Sequence, residues 1–277
     1  MYKVEEYTKD SDICFKYILS ENDRQILADI IYDVLLKYKS PIQSIPYVKS
    51  CIDRIRHIYN SLDDFFNKNP GHYFLRLSTL SPKDAYYQLC VEMTDTNDED
   101  ITVDDIRKEI NVLCVDRAEK CIQVLCHSLR VGIELRNVKT DLSILLLPWK
   151  DDILHDTETR CFIKNNKLIA FTQYYTDLST GYESINMEIN GEKYREVVID
   201  FVNRLLIPYE NAVVDVAVSS RYLNDGILDV DKMIFIEINP FNEDTESYLF
   251  TWDEILSINP ETPIFRYQYT NSLIELL

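Results

Sequence analysis

Met233-Ile234-Phe235-Ile236-Glu237-Ile238-Asn239-Pro240 is an apolar strand that empties directly into two oxygen-bearing side chains one residue apart. Side chains at i and i+2 of a strand share a face, so the Glu237 carboxylate and the Asn239 amide point the same way. Hard oxygens of this kind suit Mg²⁺ rather than zinc. Upstream, Ala212-Val213-Val214-Asp215-Val216-Ala217-Val218 is a second apolar strand with a carboxylate in its middle, and Asn224-Asp225-Gly226 between the two runs signals a turn. The two strands are expected to pair antiparallel, which places Asp215 beside Glu237 and Asn239. An unpaired carboxylate among apolar neighbours is costly, so Asp215 needs a partner. Either the three side chains share a metal ion, or Asp215 pairs with an arginine and Glu237 faces solvent.

The remaining chain supplies the frame. Its 277 residues suffice for one large unit or two joined lobes. Hydrophobic residues make up 46% and charged residues 27%, an ordinary globular balance, and no apolar run is long enough for a membrane helix. The start, Met1-Tyr2-Lys3-Val4-Glu5-Glu6, lacks the apolar stretch of a signal peptide, so a soluble protein of the cytoplasm is expected. Seven cysteines without a C-x-x-C pair argue against both a disulfide framework and a zinc ribbon. A net charge of -18 argues against a sequence-independent nucleic-acid binder, which needs a basic surface, and leaves room for a local basic pocket for one nucleotide.

Ser20 followed by Asp23 has the form of a capping box, and Ile26, Leu27, Ile30, Ile31, Val34 and Leu35 recur at helical spacing up to Tyr38. A second helix is expected from Tyr47 to Phe66, closed by Asn69-Pro70-Gly71. Tyr73–Leu77 reads as a short strand and Ser81-Pro82-Lys83-Asp84 as a helix start. Together they set Arg76 beside a helix N-terminus. That arrangement suits an anion, or is an ordinary strand–turn–helix with a surface arginine. The acidic stretch Thr94–Asp100 lacks EF-hand spacing and reads as a solvated loop. Helical periodicity returns from Val103 to Leu129; Cys121, Cys126 and His127 lie on it without ligand spacing and read as core. Beyond residue 130 the pattern turns to β, with strands at Ser143–Leu147, Arg160–Lys164 and Leu168–Thr172, the last two joined by a hairpin turn at Asn165-Asn166. A helix follows over Tyr194–Leu206.

Four ordered runs resemble the cell division cycle protein 123 family: Arg76-Leu77-Ser78 through Ser81-Pro82-Lys83-Asp84-Ala85, Glu158–Ile169, Phe235–Phe241 and Tyr248–Glu254. The resemblance implies an α+β, ATP-grasp-like fold of two lobes, with an antiparallel sheet and a nucleotide cleft between them. Residues 1–140 would form a largely helical lobe with a short strand region near 73–77, and residues 141–277 an α+β lobe carrying the Mg·ATP site. It further implies an assembly chaperone for translation initiation factor 2, docking on the gamma subunit, with ATP and Mg²⁺ as cofactors. The alternative within the same fold is an ATP-grasp ligase that joins a carboxylate to an amine through an acyl phosphate. Carried over by motif, Asp215, Glu237 and Asn239 are metal ligands, Arg160 contacts phosphate, Arg76 stands where the family has a phosphate-binding lysine, and Trp149 lies near the adenine. Three positions depart from the family pattern. Glu237 replaces an aspartate, Arg76 a lysine, and Leu147-Pro148-Trp149 a segment with two basic residues before the tryptophan, where Lys150 is the substitute at hand. Only 5 glycines against 19 tyrosines point to an AT-rich genome such as that of an intracellular parasite or virus, in which case the partner is a host protein.

Overall fold

The computed structural model describes residues 13–277 apart from 39–40, 86–88, 90–109, 177–181, 208, 259–261 and 270–271. The chain divides into two compact units that meet in sequence at Trp149 and Lys150.

The first unit opens with β1 (Phe15–Leu19) and α1 (Glu21–Lys37). The capping box forms as expected: the Ser20 hydroxyl accepts from the Asp23 N–H at 3.1 Å, and the Asp23 carboxylate accepts from the Ser20 N–H at 3.0 Å. The single helix expected over 47–66 is α2 (Pro41–Cys51), a 3-10 turn (Ile52–Ile55) and α3 (Arg56–Lys68). Ile58, Leu62 and Phe66, at helical spacing, are the buried face of α3. Then come β2 (Tyr73–Leu77), β3 (Cys114–Val115), α4 (Ala118–Cys126), α5 (Leu129–Asn137) and β4 (Leu142–Pro148). The four strands form an antiparallel sheet in the order β1-β4-β2-β3.

Three expectations are revised in this unit. The helix read over 103–129 is interrupted at Cys114–Val115, which pairs with Tyr73 and Phe74. Its apolar spacing survives the break because Leu113 and Val115 are buried as part of the sheet; residues 103–109 and the acidic loop 94–100 lie outside the described residues. The β pattern expected beyond residue 130 starts late, because α5 occupies Leu129–Asn137. Its Gly132 allows close approach to α1, since a Cβ there would sit 2.9 Å from the Ile31 Cγ2. Residues 142–148, expected in the second lobe, are hydrogen-bonded to β1 and β2.

The second unit holds β5 (Ile153–Lys164), β6 (Lys167–Gln173), α6 (Met187–Arg204), β7 (Ala212–Ser219), β8 (Met233–Asn239), α7 (Trp252–Ser257), β9 (Ile264–Tyr269) and β10 (Ser272–Leu276). Its sheet runs β10-β9-β6-β5-β7-β8. All neighbours are antiparallel except β6 and β9, so the sheet is mixed rather than antiparallel throughout. The hairpin between β5 and β6 turns on Asn165 (φ 53) and Asn166 (φ 60), the left-handed backbone that asparagine tolerates. β5 shows both faces of the sheet. Thr159 points to the α6 side, where its hydroxyl meets those of Tyr182 at 2.7 Å and Tyr194 at 2.5 Å. On the other side Phe162, Ala170 and Val213 pack with Phe250, Phe241 and Trp252. Arg160 shares that second face.

Candidate functional site

Strand pairing writes a row of charges across the second sheet. Arg160 of β5 lies opposite Asp215 of β7, and Asp215 lies opposite Glu237 of β8. Directly opposed residues project to one face, so one guanidinium and two carboxylates stand side by side. Asn239, opposite Val213, joins them from two residues further along β8. The register shifts between Asp215 and Val216, so that β8 carries one extra residue, Ile236, next to Glu237. Such bulges re-aim side chains beside functional sites.

Asp215 is fully buried and Arg160 is 5% exposed. The guanidinium grips the carboxylate at both ends, Nε to Oδ1 at 2.9 Å and Nη2 to Oδ2 at 2.8 Å. Nη1 donates to the Glu246 carbonyl at 2.8 Å, and Asn239 Nδ2 donates to Asp215 Oδ2 at 2.9 Å. The guanidinium carbon also lies 4.9 Å from the ring centres of Tyr174 and Tyr248, within cation–π range. Burial works to lower the Arg160 pKa, but the charge and hydrogen bonds of Asp215, helped by the two tyrosines, more than reverse it and hold it well above its ordinary value. Burial likewise pushes the Tyr248 hydroxyl far up, so this ring presents a neutral face. Tyr248 adopts φ 53, a conformation a bulky residue takes only where its surroundings impose it.

Both readings of Asp215 are therefore answered in part by one geometry: its partner is an arginine, and Glu237 and Asn239 still share its face. Three of the five Arg160 N–H groups are committed, which leaves two for a ligand. Because the Asn239 amide nitrogen is spent on Asp215, its carbonyl oxygen remains as an acceptor. One positive charge against two negative ones leaves the site net negative, and its donors to a metal are hard oxygens, chemistry that fits Mg²⁺. Among the described residues no group of three or more histidine, cysteine, aspartate and glutamate side chains could hold a metal ion; two carboxylates and an amide are what this site offers.

Arg76 and Trp149 belong to the first unit. Arg76, on β2 opposite Leu145, is 3% exposed and donates from Nε to the Leu77 carbonyl at 3.0 Å. Its neighbours Leu75 and Leu77 enter the helical core, so by strand alternation Arg76 takes the opposite face. It is not a surface arginine. Trp149 follows β4 directly and donates its backbone N–H to the His72 carbonyl at 3.2 Å. Tyr174, Tyr248 and the Glu246 carbonyl were not legible as site residues. A tyrosine over a guanidinium has no spacing signature, and a carbonyl has no residue type.

The model of the D123 family matches residues 48–274. The translation initiation factor eIF2 assembly protein of Xenopus tropicalis is 27% identical over 233 residues, covering 76% of this chain and 59% of the relative. Its counterpart in Lodderomyces elongisporus is 25% identical over 217 residues, covering 73% and 51%. The chain thus spans between 51% and 59% of the length of these curated relatives. Among solved structures, that of Cdc123 from Schizosaccharomyces pombe superposes with a TM-score of 0.55 at 22% identity, covering 91% of this chain and 88% of that one. A C-terminally truncated form of the same protein gives 0.57 at 20% identity, covering 93% and 90%. These two likenesses establish a shared α+β fold.

Proposed function

The chain belongs to the D123 family, and on that premise we propose that it is an ATP-grasp-like, Mg·ATP-binding chaperone for the assembly of translation initiation factor 2 that docks on the gamma subunit. ATP in this reading orders the protein and is not consumed. The names of the relatives support the assembly role. The observation that carries the nucleotide part is the row Arg160–Asp215–Glu237 with Asn239 beside it.

Each side chain has a task in this account. Arg160 fixes the Asp215 carboxylate by two charge-assisted bonds. Asp215 in turn fixes the Asn239 amide, so that carboxylate and carbonyl oxygens meet a cation without first reorganising. Glu237 adds the second negative charge, on an arm one methylene longer than an aspartate. A bound Mg²⁺ would supply neutralisation of the phosphate charge. The two uncommitted N–H groups of Arg160 are assigned to phosphate.

The test is affinity capture with the tagged chain from a lysate that contains the initiation factor 2 subunits. The gamma subunit is expected among the retained proteins when Mg·ATP is present, without accompanying phosphate release, and its retention should fall for Asn239→Ala. Equal recovery of the gamma subunit on an unrelated acidic protein would refute the docking.

A further inference from the structure

On the second unit, a recess of about 460 Å³ is walled chiefly by Glu243, Thr245, Glu246, Ser247, Tyr248 and Trp252. The chemistry of its wall is one-sided, because of its five side-chain donors all but the Thr176 hydroxyl are already spent among the described residues. The Thr245 hydroxyl donates to the Pro240 carbonyl at 2.7 Å, and the Ser247 hydroxyl to the Phe250 carbonyl at 2.7 Å. Trp252 Nε1 donates to the Thr245 carbonyl at 2.8 Å, and the Tyr248 hydroxyl is engaged by Tyr174. What remains for an occupant, the Thr176 hydroxyl aside, is acceptors and rings: hydroxyl lone pairs, the aromatic surfaces of Tyr248 and Trp252, and the exposed carboxylates of Glu243 and Glu246. Among the described residues neither carboxylate takes part in a hydrogen bond or ion pair.

Such a wall disfavours anions, which its two carboxylates repel and for which the Thr176 hydroxyl is the single unspent side-chain donor among the described residues. It also rejects a purely apolar group, which would leave the carboxylates facing it. A small hydrated metal ion would gain nothing from the two rings. The group that uses all of it is a guanidinium, which donates in several directions, carries a positive charge and is weakly enough hydrated to lie against aromatic surfaces. The volume falls in the range of small-ligand sites and accommodates a whole arginine side chain. We propose that this recess receives an arginine side chain from a basic segment of a partner protein, with the chain's net charge of -18 drawing that segment in. The proposal does not depend on nucleotide binding.

The probe is the peptide acetyl-Gly-Arg-Gly-Arg-Gly-amide, titrated at about 150 mM salt to suppress long-range attraction, with its citrulline counterpart as the uncharged isostere. Trp252 emission is followed in a Trp149→Phe background, which leaves Trp252 as the sole tryptophan. A saturable change is expected with the arginine peptide, weakened about tenfold or more by citrulline and by the pair Glu243→Gln and Glu246→Gln. The pair Glu192→Gln and Glu196→Gln, which removes the same charge from α6, should leave affinity unchanged. No saturable change, equal affinity for the citrulline peptide, or equal losses in both double variants would overturn the proposal. So would displacement of the peptide by Mg²⁺ at constant ionic strength, which would make the recess a metal site.

Discussion

Replacing Asp215 by alanine tests the row of charges at its centre. Asp215 is fully buried, and Arg160, at 5% exposure, gives it two of its committed hydrogen bonds. Removing one partner of a buried ion pair costs about 3–5 kcal/mol, because the other charge is left without compensation. Arg160 keeps the Glu246 carbonyl and the tyrosine rings, which places the expected loss near the lower end, at about 3 kcal/mol. The double variant Arg160→Met with Asp215→Leu removes both charges and should recover to within about 1–2 kcal/mol of the parent. Urea unfolding without nucleotide or Mg²⁺ in a Trp149→Phe background, followed by Trp252 emission, reads the second unit, because Trp149 belongs to the first and would otherwise add its own signal. A single-variant loss below about 1 kcal/mol would mean that the carboxylate is solvated and the pair dispensable. A double variant no better than the single one would refute the pairing as the source of the cost.

Three further outcomes follow from the described geometry. Burial tends to raise the Asp23 pKa, but the hydrogen bond from His57 and those from Ser20 outweigh it and set it below its ordinary value of 3.8. This carboxylate therefore stabilises the first unit fully above that value and loses its contribution as the pH falls through the lower folded one; acid titration of unfolding should show a shallower acid limb for Asp23→Asn. Gly132→Ala should destabilise the first unit by about 1–3 kcal/mol through the Ile31 contact, against a helix-propensity gain of about 1 kcal/mol, and a rise in denaturation midpoint would show that α1 and α5 yield freely. Burial pushes the Cys126 thiol up to about 12 and raises those of Cys121 and Cys161 as well. A disulfide reagent should therefore label exposed Cys14 promptly and these three only on unfolding, which peptide mapping would verify.

Local chemistry carried most of what could be read in advance. The Ser20–Asp23 box, the Asn165-Asn166 turn and the β7–β8 pairing depend on neighbours close in sequence or on one unbroken apolar run, and all three form. What escaped depends on distance or on ambiguity. Phe15–Leu19 alternates weakly, and only pairing with β4, far along the chain, makes it a strand. The apolar residues of Leu129–Asn137 sit at a spacing that β periodicity partly mimics, and Gly132 lowers its helix propensity while serving the contact with Ile31. The parallel β6–β9 pairing joins segments separated by two other strands of the sheet, which periodicity cannot register. At the site, residue types identified the acidic and amide oxygens, whereas the grip of Arg160 on Asp215 appeared only as one of two alternatives for Asp215. Choosing between them required the register that sets residue 160 opposite residue 215.

Thermal unfolding with and without Mg·ATP reads nucleotide binding without any partner protein. A ligand at about 100 times its dissociation constant adds about 2.7 kcal/mol to the folded state, so the account predicts a rise in Tm for the parent chain that is lost when Asp215→Ala and Asn239→Ala are combined. An unchanged Tm at saturating Mg·ATP, or an equal rise in the double variant, would contradict it.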